Sequence, residues 1–103
     1  MEKDHFKDRP IESTQVDEIK VGMEVYICIK AMQPYAEDLD DLSRGYITKI
    51  LTKHNHPRGL KCIISQSSNG MMLTGRIVYI CNDNLILTKD GWNEEKNINK
   101  KTD

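Results

Sequence analysis

Two imidazoles and three cations fall within ten residues in Thr52-Lys53-His54-Asn55-His56-Pro57-Arg58-Gly59-Leu60-Lys61. Three chemistries use such residues. The first is metal binding, since imidazole and thiolate both ligate zinc and Cys62 follows directly. The spacing is wrong for it: there is no C-x-x-C or H-x-x-x-H, a closed site needs four ligands, and Cys62 sits where a strand points inward. The second is acid–base work on a phosphodiester by His54 and His56, with Lys53 or Arg58 stabilising the developing charge. Nothing in the sequence orients either ring, and no Ser/His/Asp set, glycine-rich phosphate cradle or catalytic carboxylate pair accompanies them. The third is anion binding, which asks only that cations gather on one face.

The charge pattern favours the third. Between Asp41 and Asp83 the chain has no acidic residue, yet it carries Arg44, Lys49, Lys53, Arg58, Lys61 and Arg76. Residues 1–41 hold eleven acids against five Lys/Arg, while residues 42–82 hold six Lys/Arg and no acid. A formal net charge of −1 therefore conceals a polarised chain. Lys49, Lys61 and Arg76 alternate with apolar neighbours and are expected to project outward from strands. Lys53, His54, His56 and Arg58 lie on the adjoining loop. A face made of Lys49, Lys53, His54, His56, Arg58, Lys61 and Arg76 would bind nucleic acid with marked salt dependence. Tyr46 or Tyr79 would offer a stacking surface at its edge. The same cations also suit a solvated strand face, where they discourage edge-to-edge pairing.

The elements that must carry these residues read as β-structure. Met23, Val25, Ile27 and Ile29 alternate with Glu24, Tyr26, Cys28 and Lys30, the period of a half-buried strand. Pro34 and the acids at 37–41 place a loop or short helical turn over residues 33–42. That loop has the charge to dock a basic partner or to screen the basic face. Residues 45–52 are rich in β-branched and aromatic types and form a second strand. Asn55, Pro57 and Gly59 then supply turn chemistry. Residues 60–65 alternate as a third strand, and Asn69-Gly70 suits a type I′ hairpin. Residues 71–81 make a fourth strand in which Gly75 marks a bulge or sharp bend, and residues 85–88 a fifth. Five short strands joined by hairpins define an all-β fold, a small antiparallel barrel closed in an SH3-like or KOW-like way, with an OB-like closure as the alternative.

The stretch Gly45-Tyr46-Ile47-Thr48-Lys49-Ile50-Leu51-Thr52, then His56-Pro57-Arg58-Gly59-Leu60-Lys61-Cys62, then Gly75-Arg76-Ile77 resembles the YwbE-like family of small bacterial proteins. Ile19-Lys20-Val21-Gly22-Met23-Glu24-Val25 looks like that family's opening strand, so the resemblance runs over residues 19–80 or so. It implies a compact barrel of the KOW/SH3-like group and no established activity. The chain departs from the family in its first loop, which is acidic here where the family's is basic and polar, and in a longer segment at 65–74.

Length and composition leave room for one domain: 103 residues, 38% hydrophobic and 30% charged. Residues 1–15 are expected to be a flexible arm, 16–91 the barrel, and 92–103 a disordered tail. Phe6 and Trp92 fall in those ends, so the core is expected to be aliphatic, with Tyr and with Met23, Met32, Met71 and Met72 filling core or rim. No apolar run approaches the ~20 residues that span a bilayer. The first residues lack the apolar stretch of a secretion signal, and the three cysteines (Cys28, Cys62 and Cys81) are an odd, unpaired set in apolar runs. These features point to a reduced, cytoplasmic protein. The function expected is non-enzymatic and without cofactor or metal: nucleic-acid binding, RNA before DNA, or else protein–protein interaction within a larger complex. No membrane association or small-molecule substrate is expected.

Overall fold

The computed structural model describes residues 6–97. Six strands follow one another: β1 Glu24–Ile29, β2 Ser43–Ile50, β3 Lys61–Gln66, β4 Met72–Asn82, β5 Leu85–Thr88 and β6 Gly91–Glu94. Each pairs antiparallel with the next, and β1 also pairs with β4. Strands β1–β4 thus close into a four-stranded barrel, from which β5 and β6 continue as an open extension. No helix among the described residues is long and apolar enough to cross a membrane.

Closure demands that β4 touch two neighbours. Gly75 pairs with Cys62 of β3 and Ile29 of β1, and a Cβ there would meet Cys28 O at 2.4 Å. The bend expected at Gly75 is therefore a close crossing of three backbones, which only glycine permits. Two residues further on, the pairing of β1 with β4 slips between Tyr26–Tyr79 and Ile27–Ile77, leaving Val78 as a bulge. The Ser13 hydroxyl, fully buried, donates to Val78 O at 3.0 Å and satisfies a carbonyl near this irregularity.

Two apolar clusters result. Inside the barrel, Val25, Ile27, Ile47, Cys62, Ile64, Ile77 and Ile80 pack with Ile19 and Leu60. Each fully buried aliphatic side chain contributes about 1.5–3 kcal/mol by leaving water. The second cluster joins Tyr26 and Cys28 of β1 with Val78, Tyr79 and Cys81 of β4 and Ile86 of β5. Ala36 and Leu42 from the β1–β2 connection and Phe6 from the N-terminal segment cover it. Strand β1 is therefore buried on both sides, not half-buried as its alternation implies. The connection itself makes short 3₁₀ turns at Lys30–Met32 and Leu39–Asp41, in keeping with the loop read from Pro34 and the acids.

Several expectations are corrected. Residues 6–15 are not an arm apart from the barrel: Phe6 is buried against Tyr79, edge to face at 6.1 Å, and Tyr79 donates to Asp8 at 2.6 Å. Val16 N and Gln15 are held by Asn55. Residues 91–94 form a sixth strand rather than disordered tail, with Trp92 opposite Leu87. Glu95–Asn97, also within the expected tail, make a short 3₁₀ turn, and residues 1–5 and 98–103 of the two expected flexible ends lie outside the described residues. The core includes Phe6, whereas Met71 and Met72 are exposed and Met23 and Met32 only flank the clusters. Finally, the Asn69-Gly70 hairpin is no two-residue type I′ turn. Gly70 N donates to Gln66 O and only Gly70 has positive φ, so Ser67, Ser68, Asn69 and Gly70 form a longer loop closed by Gln66 N donating to Met71 O.

Candidate nucleic-acid interface

The segment His56-Pro57-Arg58-Gly59 is a β-turn: Gly59 N donates to His56 O at 3.0 Å, with Pro57 in the second position and Gly59 at φ +97°. His56 Nδ1 accepts the Arg58 N–H at 3.1 Å, which fixes the imidazole against the turn it opens. The loop is anchored on both sides. His56 N donates to Thr14 O, Leu60 N to Ser13 O, and Ile77 N to Leu60 O. At the strand end, Lys61 N donates to the Thr52 hydroxyl at 2.7 Å.

Strand pairing then sets Lys61 directly across from Arg76. Arg76 donates to Gly59 O at 3.1 Å, tying β4 to the turn. On the far side of Arg76 lies Cys28 of β1, two residues before Lys30. The result is a groove of about 590 Å³ lined by His56, Arg58, Lys61, Arg76, Lys30 and Gln33, floored by Thr74 and Gly75. No carboxylate lines it. Among the described residues, no acid forms an ion pair with Lys30, Lys61 or Arg76. Like charges this close in water-exposed positions favour an anion between them.

Four of the seven residues expected on the basic face, His56, Arg58, Lys61 and Arg76, meet at this groove. Lys49, Lys53 and His54 do not line it. Lys49 pairs with Ile63 on β3, two residues along that strand from Lys61, and is not among the residues lining the groove. Lys53 and His54 are exposed on the loop before the turn. Lys30 and Gln33 were missed by sequence reasoning. The signal for them is the β1–β4 closure itself, which brings the end of β1 beside Gly75. Of the two tyrosines, Tyr46 is half exposed, in the row Tyr46, Ser65, Met72 on β2, β3 and β4. Tyr79 is buried and offers no stacking surface.

Arg44, the remaining cation of the acid-free stretch, belongs to another assembly. Its guanidinium pairs with Glu24 at 2.9 Å and with Glu95, donates to Asp83 O, and lies 5.6 Å from the Tyr26 ring centroid. Hydrogen bonding from Arg44 holds the Glu24 carboxyl below the usual carboxylate range, against the opposing effect of burial. The Tyr26 phenol is pushed up by burial and by Glu95. Within the acidic loop, Asp41 Oδ2 accepts the N–H of Glu37 at 2.9 Å and of Asp38 at 3.2 Å.

The cysteines do not join the histidines. Cys62 is fully buried inside the barrel, and burial pushes its thiol up to about 12, as it does that of Cys81. Among the described residues no three His, Cys, Asp or Glu side chains stand together as a metal site.

Fold and groove define the class: a small all-β barrel protein with a basic groove beside the β1–β4 seam. The chain belongs to the family described as "Uncharacterized conserved protein (DUF2196)", which it matches over residues 12–71. That match takes in β1, β2, β3 and the His56–Gly59 turn. No curated protein and no solved structure matches the chain.

Proposed function

We propose that this protein is a non-catalytic module that binds nucleic acid, RNA before DNA, through the groove of Lys30, His56, Arg58, Lys61 and Arg76. The observation that carries the reading is their convergence from four separate parts of the chain on a surface lined by no acid. Lys61 and Arg76 suit phosphate oxygens, and a fixed turn backbone reduces the ordering cost of the contact. The non-catalytic reading rests on the imidazoles: His56 is engaged by its own turn, and His54 lies outside the groove.

Fluorescence anisotropy with a labelled single-stranded RNA, titrated across salt, tests the proposal. Three or four phosphate contacts give a slope of log K against log salt of about −2 to −3. Lys61→Glu, at an exposed position, is expected to weaken binding at least tenfold and flatten that slope. No binding at low salt, or wild-type binding by Lys61→Glu, rejects the groove as an RNA site.

A second reading, a protein-interaction module, draws on the exposed Tyr46 and Met72, in one row at the other end of the same sheet face, with exposed Met71 beside them in sequence. A pull-down yielding one stoichiometric protein free of nucleic acid, lost in Tyr46→Ala but not in Lys61→Glu, would favour it.

A further inference from the structure

Behind the His56–Gly59 turn lies a second groove of about 360 Å³, whose lining includes Phe6, Lys7, Arg9, Thr14, Pro57 and Lys89. No acidic side chain lines it. Three acids adjoin its lining residues in sequence, Asp8, Glu12 and Asp90; none lines the groove, and the Asp8 carboxylate accepts from the Tyr79 hydroxyl at 2.6 Å. The groove is a fixed part of the fold. Lys89 N donates to Asp8 O at 2.8 Å, and Thr14 O accepts His56 N. The turn is the wall between the two grooves, with Pro57 on one side and His56 and Arg58 on the other.

Lys7 and Lys89, both exposed, thus extend the basic surface of Lys30, Arg58, Lys61 and Arg76 across a ridge. A single small anion fills one groove and leaves the other empty. A duplex, stiff over a persistence length of about 50 nm, cannot fold over a turn of this size. A single strand can, because no partner strand fixes its backbone torsions and successive phosphates need not lie in line.

We infer that the ligand is a single-stranded RNA long enough to cross the Pro57–Arg58 ridge, with phosphates in both grooves; this rests on the reading of the first groove given above. The second groove is then a subsite that sets the length of strand bound.

The test uses the full chain and fluorescein-labelled oligouridines of about 4 and about 12 nucleotides, spanning the footprint of small barrels on single strands. The longer strand is expected to bind more tightly and with a steeper salt slope, by about −0.7 for each added phosphate contact. Lys7→Glu combined with Lys89→Glu, both at exposed positions, should return the 12-mer to the affinity and slope of the 4-mer while leaving the 4-mer unchanged. Lys61→Glu should weaken both. Melting curves matching wild type show that the variants keep the fold. Equal affinity for the two lengths, equal loss for both lengths in the double variant, or competition by duplex RNA as strong as by single strand overturns the inference alone. Failure of both oligomers to bind at low salt overturns the first-groove reading as well.

Discussion

At φ +97° Gly59 occupies backbone space that L side chains rarely enter, and a Cβ there would stand 2.0 Å from Ile77 O. The residue closes the turn that holds His56 and Arg58, and its carbonyl accepts from Arg76. Gly59→Ala is expected to lose more than about 2 kcal/mol of stability, from the left-handed conformation and the backbone clash together. Urea unfolding measures that loss, and RNA affinity should fall with it because the turn must shift away from β4. The turn chemistry of Pro57 and Gly59 was readable in the sequence. The engagement of Arg44 was not, since its partners Glu24 and Glu95 lie 20 and 51 positions away along the chain. A cation counted by sign alone looks the same whether a carboxylate neutralises it or not.

The strands were legible because most obey a clean period of two, and β5 was read at its observed limits, Leu85–Thr88. Strand β6 was not, because Gly91-Trp92-Asn93-Glu94 has a polar composition that resembles tail, and only pairing with β5 makes it a strand. The N-terminal segment was hidden in the same way. Its aromatic residue, Phe6, is surrounded by charges in sequence, yet it covers the outer cluster over Tyr79. Phe6→Ala is therefore expected to cost about 3 kcal/mol, as for other buried aromatics, with the midpoint of chemical unfolding lowered and the barrel strands retained in circular dichroism. An unchanged midpoint would mean that residues 6–15 rest on the barrel without supporting it. The double burial of β1 was beyond a periodicity argument, because alternation reports two faces and says nothing of what covers the second.

Across the whole molecule, Arg44 joins β1 through Glu24, the β4–β5 turn through Asp83 O, and the end of the extension through Glu95. Because Glu24 titrates below the ordinary carboxylate value, its contribution is present above the unfolded value of about 4.3 and is lost as pH falls through the depressed folded value. Urea midpoints are thus expected to drop on acidification below about pH 4.5. Arg44→Gln should flatten that dependence and cost about 1–2 kcal/mol at neutral pH, the figure being held down by partial solvent exposure of the network. The sequence made the barrel and the acid-free stretch visible, but not which cations would meet, because that depends on which strand closes on which.

The pairing of β1 with β4 joins residues some fifty positions apart, such as Glu24 with Cys81 and Ile29 with Gly75. Long-separated contacts of this kind pay their loop entropy before any reward and form late and slowly. The first groove straddles that seam, with Lys30 and Gln33 on one bank and Thr74 and Arg76 on the other. An incompletely folded chain, even one with its hairpins made, carries the cations without the cleft. On the function proposed above, newly synthesised copies are expected to stay inert towards their anionic partner until β1 and β4 have zipped together, so that ligand capture would report on chains that have finished folding.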